Sequence, residues 1–193
     1  MNNILKDFKL EKKVSEEIIN KYKNKVPEQV LDIWQNYGFG TFLNGYLKIV
    51  NPEEYEDLLK ETYIPVEDEP IEFNTVLFAT AMGDLIVWEY VDEDISSVIL
   101  VSYRRGYSSI ILASFRNFFR VLNEESFRKR KLKWDPYLQA REKYGEPAYD
   151  ECFGYVPLLG LGGKDTVDNL KKVKLKEHIY IINDLVGPVE EME

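Results

Sequence analysis

Apolar positions recur along the chain with two different periods, and the change from one to the other organises it. Val14, Ile18, Tyr22 and Val26 are spaced by four, with Glu16 and Glu17 where the positive end of a helix favours acids. Pro27 suits a first helical position. Val30, Leu31, Trp34 and Tyr37 then mark the inner face of a second helix, which Gly38 stops. In FLNGYLKIV, the Asn44-Gly45 pair between apolar arms predicts a hairpin with a type I′ turn, which needs positive φ twice. Asn51, Pro52, Glu53 and Glu54 supply an N-cap, an early proline and first-turn acids for a helix to about Glu61.

From Thr75 the period falls to two. TVLFAT, LIVWEY, VILVSY and YSSIILA read as short strands separated by AMGD, DEDISS and the Arg105-Gly106 turn. Connections this short pair strands antiparallel. The runs from Thr75 to Ala113 are therefore expected to form one antiparallel sheet, with the helices around Trp34 and Phe118 on its apolar faces. Ser114 reads as the cap of a helix that turns Phe115, Phe118, Phe119 and Leu122 inward. Asp135-Pro136 repeats the cap-plus-proline device, and Gly145 closes that helix. A last helix in LKEHIYIINDLVG sets Ile179, Ile182, Leu185 and Val186 at helical spacing, with Gly187-Pro188 as its stop. The expected fold class is α+β: an antiparallel sheet with flanking helices and a helical C-terminal part. A boundary near residues 110–114 separates parts 1–110 and 111–193, which are expected to pack as one globular body.

Composition adds mainly exclusions. A chain of 193 residues that is 45% apolar and 31% charged reads as folded and globular. It needs no disulfide or metal to stabilise its core. Cys152 is the one cysteine and His178 the one histidine, so neither an internal disulfide nor a His/Cys metal cluster is expected, and no cofactor either. The N-terminus lacks a signal-peptide core, and no apolar run approaches the ~20 residues of a membrane span. The cytoplasm is the expected compartment. Acids outnumber bases 34 to 25, and the net charge of -9 argues against a general nucleic-acid binder.

Charge is also segregated. From Glu53 to Asp94 stand 14 acids against Lys60 alone; from Arg104 to Lys133 stand nine bases against Glu124 and Glu125. One reading is a pair of solvated faces. The other is an acidic docking surface for a basic partner. On the second reading the candidate contacts are Glu67, Asp68 and Glu69 in the segment IPVEDEP, and Asp92, Glu93 and Asp94 between two strands.

Few motifs carry chemistry. GLGGKD (160–165) is not a phosphate loop: Leu158 stands where the first glycine belongs and Asp165 where Ser/Thr belongs. Its glycines are read as a tight turn in the core. Asp150-Glu151 could work as an acid/base pair with His178 only if a cleft brought them together. A solvent-edge helix position is the plainer expectation for His178, and a buried inert thiol for Cys152. Trp34, Trp88 and Trp134 are read as core, and Arg104-Arg105 as part of a hairpin turn.

Several blocks, in order, carry a family resemblance. They are PEQVLDIWQNYGFGTFLNGYLKIVNPEEY (27–55), FATAMGDLIVW (78–88), YGEPAYDECFGYVPLLGLGG (144–163) and NLKKVKLKEHIYIINDLVG (169–187). Together they resemble a GAD-like domain followed by the C-terminal domain of type VI secretion DNase-immunity proteins. Met82, where an aromatic usually precedes Gly-Asp, and Leu158-Leu159-Gly160, in a loop usually richer in alanine, depart from the pattern. The resemblance implies a bacterial immunity protein that binds a cognate toxin, such as a nuclease, and occludes its active site without catalysing anything. The alternatives are a small hydrolase using Asp150, Glu151 and His178, or a regulatory scaffold.

Overall fold

The computed structural model describes residues 4–65, 70–90 and 96–190. In chain order the elements are β1 (Lys9–Lys12), α1 (Glu16–Tyr22), α2 (Glu28–Asn36), β2 (Phe39–Phe42), β3 (Leu47–Ile49), α3 (Glu56–Thr62) and β4 (Tyr63–Ile64). Then come β5 (Asn74–Thr80), β6 (Leu85–Tyr90), β7 (Ser96–Ser102) and β8 (Tyr107–Leu112). The helical part holds α4 (Phe118–Leu122), α5 (Glu125–Lys131) and α6 (Trp134–Tyr144). The chain closes with β9 (Glu151–Tyr155), β10 (Leu170–Lys174), α7 (Leu175–Val186) and β11 (Val189–Glu190).

The four predicted strands form the antiparallel meander β5-β6-β7-β8, and three more extend it to a seven-stranded sheet ordered β1-β2-β3-β5-β6-β7-β8. Its central strands are buried on both faces, and period-two alternation sorts their side chains. Ile86, Trp88, Val98 and Leu100 point to one core; Leu85, Val87, Ile99 and Val101 point to the other. The first core takes Trp34 of α2, Phe118 of α4 and Tyr137 of α6, so the helices around Trp34 and Phe118 share one face. Phe78 packs there against Phe118, centroids 5.1 Å apart. The second core takes Leu58 and Leu59 of α3, Ile179 and Ile182 of α7, and Cys152. Helices α2, α4 and α6 thus cover one face of the sheet, and α3 and α7 the other.

Local signals behave as their chemistry requires. Ser15, Asn51 and Ser114 each accept a backbone N–H at a helical start. Gly38 and Gly145 follow their helices with positive φ. The β2–β3 hairpin forms, but its loop has four residues: Phe42 faces Leu47, and Leu43, Asn44 and Gly45 all have positive φ. The Asp7 carboxylate accepts the N–H groups of Leu43 and Asn44, which holds this wider turn in place of the type I′ turn.

Four other expectations need correction. Pro27 is an N-cap and not the first helical residue. Helix α6 begins at Trp134, not after Asp135, because Trp134 packs on Tyr46 and under the Arg128 guanidinium; Lys133 takes a left-handed conformation to allow it. Asp135 then serves as a first-turn acid. In α7 the buried stripe is Leu175, His178, Ile179 and Ile182, whereas Leu185 and Val186 lie outside the core and are exposed. The 160–163 segment is a surface loop anchored by Leu158 and not a turn inside the core. A Cβ on Gly163 would stand 2.1 Å from the Pro157 carbonyl oxygen, so the loop closes on itself too tightly for a side chain there.

Candidate functional site

The six acids singled out from sequence, Glu67, Asp68, Glu69, Asp92, Glu93 and Asp94, lie outside the described residues. The rest of the acidic stretch is placed. Glu53, Glu54, Glu56, Asp57 and Glu61 line the exposed side of the 3-10 turn at Pro52–Tyr55 and of α3. Glu53 and Glu56 share Lys21, and Glu54 meets Lys176. Burial, helped by the nearby charges of Glu61 and Asp57, raises the pKa of the Tyr180 hydroxyl on α7. Those two acids therefore look across to α7, whose outer face carries Glu177, Ile181, Asp184 and Leu185.

The two parts of the chain meet in a polar seam. Lys48 of β3 is fully buried, and its ammonium donates to the carbonyls of Ala148 (2.5 Å), Tyr149 (2.9 Å) and Glu151. Burial pulls its pKa down to about 8. The Tyr149 hydroxyl answers by donating to the Ile49 carbonyl at 2.8 Å, and the Phe153 N–H donates to the Ala81 carbonyl at 2.7 Å. Tyr46 and Tyr137 donate across the same seam to the carbonyls of Leu132 and Asn44.

At one end of the seam lies a buried ion pair that the sequence reading missed. Asp84, in the β5–β6 turn, accepts from the Arg104 Nη1 and from the Ser102 hydroxyl at 3.1 Å. Burial works against the Arg104 charge, but Asp84 beside it outweighs this and raises its pKa. Arg105, next in chain, turns outward to Asp165, which Lys133 and the Tyr155 hydroxyl also reach. The β7–β8 turn, the 158–160 loop and α7 enclose a cavity of about 250 Å³ above this pair.

His178 lines that cavity. It is buried, not at a solvent edge, because it falls on the inner stripe of α7 opposite Gly154 of β9. A Cβ on Gly154 would lie 2.3 Å from the imidazole Nε2, so the missing side chain makes room for the ring. Burial lowers the His178 pKa. Neither Asp150 nor Glu151 lines its cavity; Asp150 instead pairs with Lys174 at 2.5 Å on the surface. The acid/base set of the hydrolase alternative is not brought together there. Cys152 is fully buried with its thiol pKa pushed up to about 12 by burial, the environment of an inert thiol. Among the described residues, no group of three or more His, Cys, Asp or Glu could hold a metal ion, and no helix is long and apolar enough to cross a membrane.

Two features of sequence could have exposed the seam. Lys48 is a lone charge between Leu47 and Ile49, and Asp84 a lone acid between two apolar runs. A charge in such a place is buried with partners or does not stay.

The fold is α+β: a seven-stranded antiparallel sheet with flanking helices and a helical C-terminal part packed on it. The model of the GAD-like domain matches residues 1–103, and that of the T6SS immunity protein Tdi1, C-terminal, matches residues 112–186. The chain belongs to the GAD-like domain family, and its second part carries the C-terminal domain of a type VI secretion immunity family. This pairing, in this order, supports an immunity function. No curated protein matches the chain. Among solved structures, the crystal structure of Atu4351 from Agrobacterium tumefaciens is similar, with a TM-score of 0.73 at 22% identity over 94% of this chain and 87% of that one. At that identity the likeness speaks to fold alone.

Proposed function

We propose that this chain is an immunity protein that binds a cognate toxin with a basic surface, such as a nuclease, and neutralises it by covering the active site. The observation that carries the reading is the ordered pair of family matches spanning residues 1–103 and 112–186. The acidic stretch supports the electrostatic part, because a substrate groove built for a polyanion attracts acids of the kind exposed along α3. The protein acts in the cytoplasm, without catalysis, as an N-terminal GAD-like part and a C-terminal immunity part. Glu67, Asp68, Glu69, Asp92, Glu93 and Asp94 steer the encounter. Reversing three of them to lysine lowers the association rate by about tenfold or more, and added salt slows association before it speeds dissociation. Stopped-flow association against salt, with thermal melts alongside, tests this. Unchanged association with lost stability would assign those acids to the fold instead.

A further inference from the structure

The junction cavity has a lining at odds with the charge of the chain. On a protein of net charge -9, its walls carry Arg104, Arg105 and His178 and, among the described residues, no acidic side chain. Ile182 and Val186 follow His178 along α7, and with Leu158 they make an apolar wall beside it. Donors remain free on the polar side. Both Arg104 contacts, to Asp84 and to the Met82 carbonyl, use Nη1 and leave Nη2 unbonded among the described residues. Arg105 reaches Asp165 through Nη2 alone. His178, its pKa lowered by burial, is neutral at pH 7 and keeps one ring N–H to give. An acceptor entering the cavity would meet these donors.

We propose that this cavity binds a small aliphatic carboxylate, its head against Arg104, Arg105 and His178 and its stem along Leu158, Ile182 and Val186. A guanidinium fork matches a planar carboxylate. Charge sets the valence: Arg104, Arg105 and Lys133 face Asp84 and Asp165, leaving a single positive charge, which suits a monoanion better than a phosphate dianion. Size agrees too. The cavity, about 250 Å³, has room for a short-chain acid.

The single histidine makes the test clean, because its imidazole resonances report this cavity and nothing else. The full-length protein is titrated with butyrate, with butyramide as the uncharged isostere and inorganic phosphate as the dianion, at matched ionic strength. Butyrate shifts the His178 resonances saturably in the millimolar range, and butyramide leaves them in place. Arg105→Gln, at a half-exposed site, weakens butyrate about tenfold while keeping a dispersed spectrum. Val186→Trp, also at an exposed site, blocks the mouth and abolishes the shift. No saturable shift up to tens of millimolar would overturn the proposal. So would an equal response to butyramide, tighter binding of phosphate, or undiminished binding by both folded variants.

Discussion

Lys48→Met tests whether the seam between the two parts is held by a buried ammonium. The side chain has no solvent exposure, and its pKa falls from 10.5 to about 8 because burial penalises the charge. Between those two values the unfolded chain holds the proton and the folded one does not, so folded stability rises with pH through that window. From about pH 7 to about pH 9.5 the lysine therefore adds about 2 kcal/mol to the wild type. Methionine fills a similar volume and titrates nothing. It also strips donors from the seam: the Ala148 carbonyl keeps the Glu151 N–H at 3.0 Å, so the loss falls on the Tyr149 and Glu151 carbonyls. Each buried carbonyl left without its donor costs about 1–3 kcal/mol. The variant is less stable than wild type at pH 9.5, and the gap narrows by about 2 kcal/mol at pH 7. Tyrosine ionisation is common to both proteins and cancels in the comparison. Urea unfolding of both proteins at the two pH values, with matching m-values, measures the gap. A gap constant to within about 0.5 kcal/mol would refute the account of a titrating buried lysine.

The remaining predictions concern the junction and the caps. Asp84→Ala strands the Arg104 guanidinium and costs about 3–5 kcal/mol in urea unfolding, whereas a loss under about 1 kcal/mol would mean water reaches the pair. Gly154→Ala drives a methyl into the His178 ring and costs about 1–3 kcal/mol; pairing it with His178→Ala recovers part of that loss, and strict additivity would contradict the contact. Ser114→Ala removes a helix cap and lowers stability by about 1 kcal/mol, read by thermal melting.

The sheet was legible because its chemistry is local. Short apolar runs with turn residues between them admit antiparallel pairing and little else; Ile86, Trp88, Val98 and Leu100 sit as alternation requires, whereas a register shift between Val76 and Phe78 puts Val76 in one core and Phe78 in the other. The strands β9 and β10 were not legible. ECFGY is short and glycine-bearing, and LKKVK has only buried Leu170 and half-buried Val173 among three lysines; each is a strand because the other pairs with it, Phe153 against Lys172. The extension by β1 was hidden for a similar reason, since KLEK is exposed throughout and is held by pairing with β2. His178 shows the limit of reading a helix alone. Its burial depends on Gly154, which lies 24 positions earlier and contributes only by lacking a side chain. The cavity and the Asp84–Arg104 pair join segments that are far apart in the chain, and no periodicity records such meetings.

The central claim is that the chain neutralises a toxin by binding it. The direct measurement is growth of cells that express each candidate effector toxin from the chain's own host, with and without the chain, alongside chromatography of the mixed proteins. Neutralisation by binding gives restored growth and a stable complex of the two proteins. Undiminished killing, with both proteins folded and present and eluting apart, would contradict it.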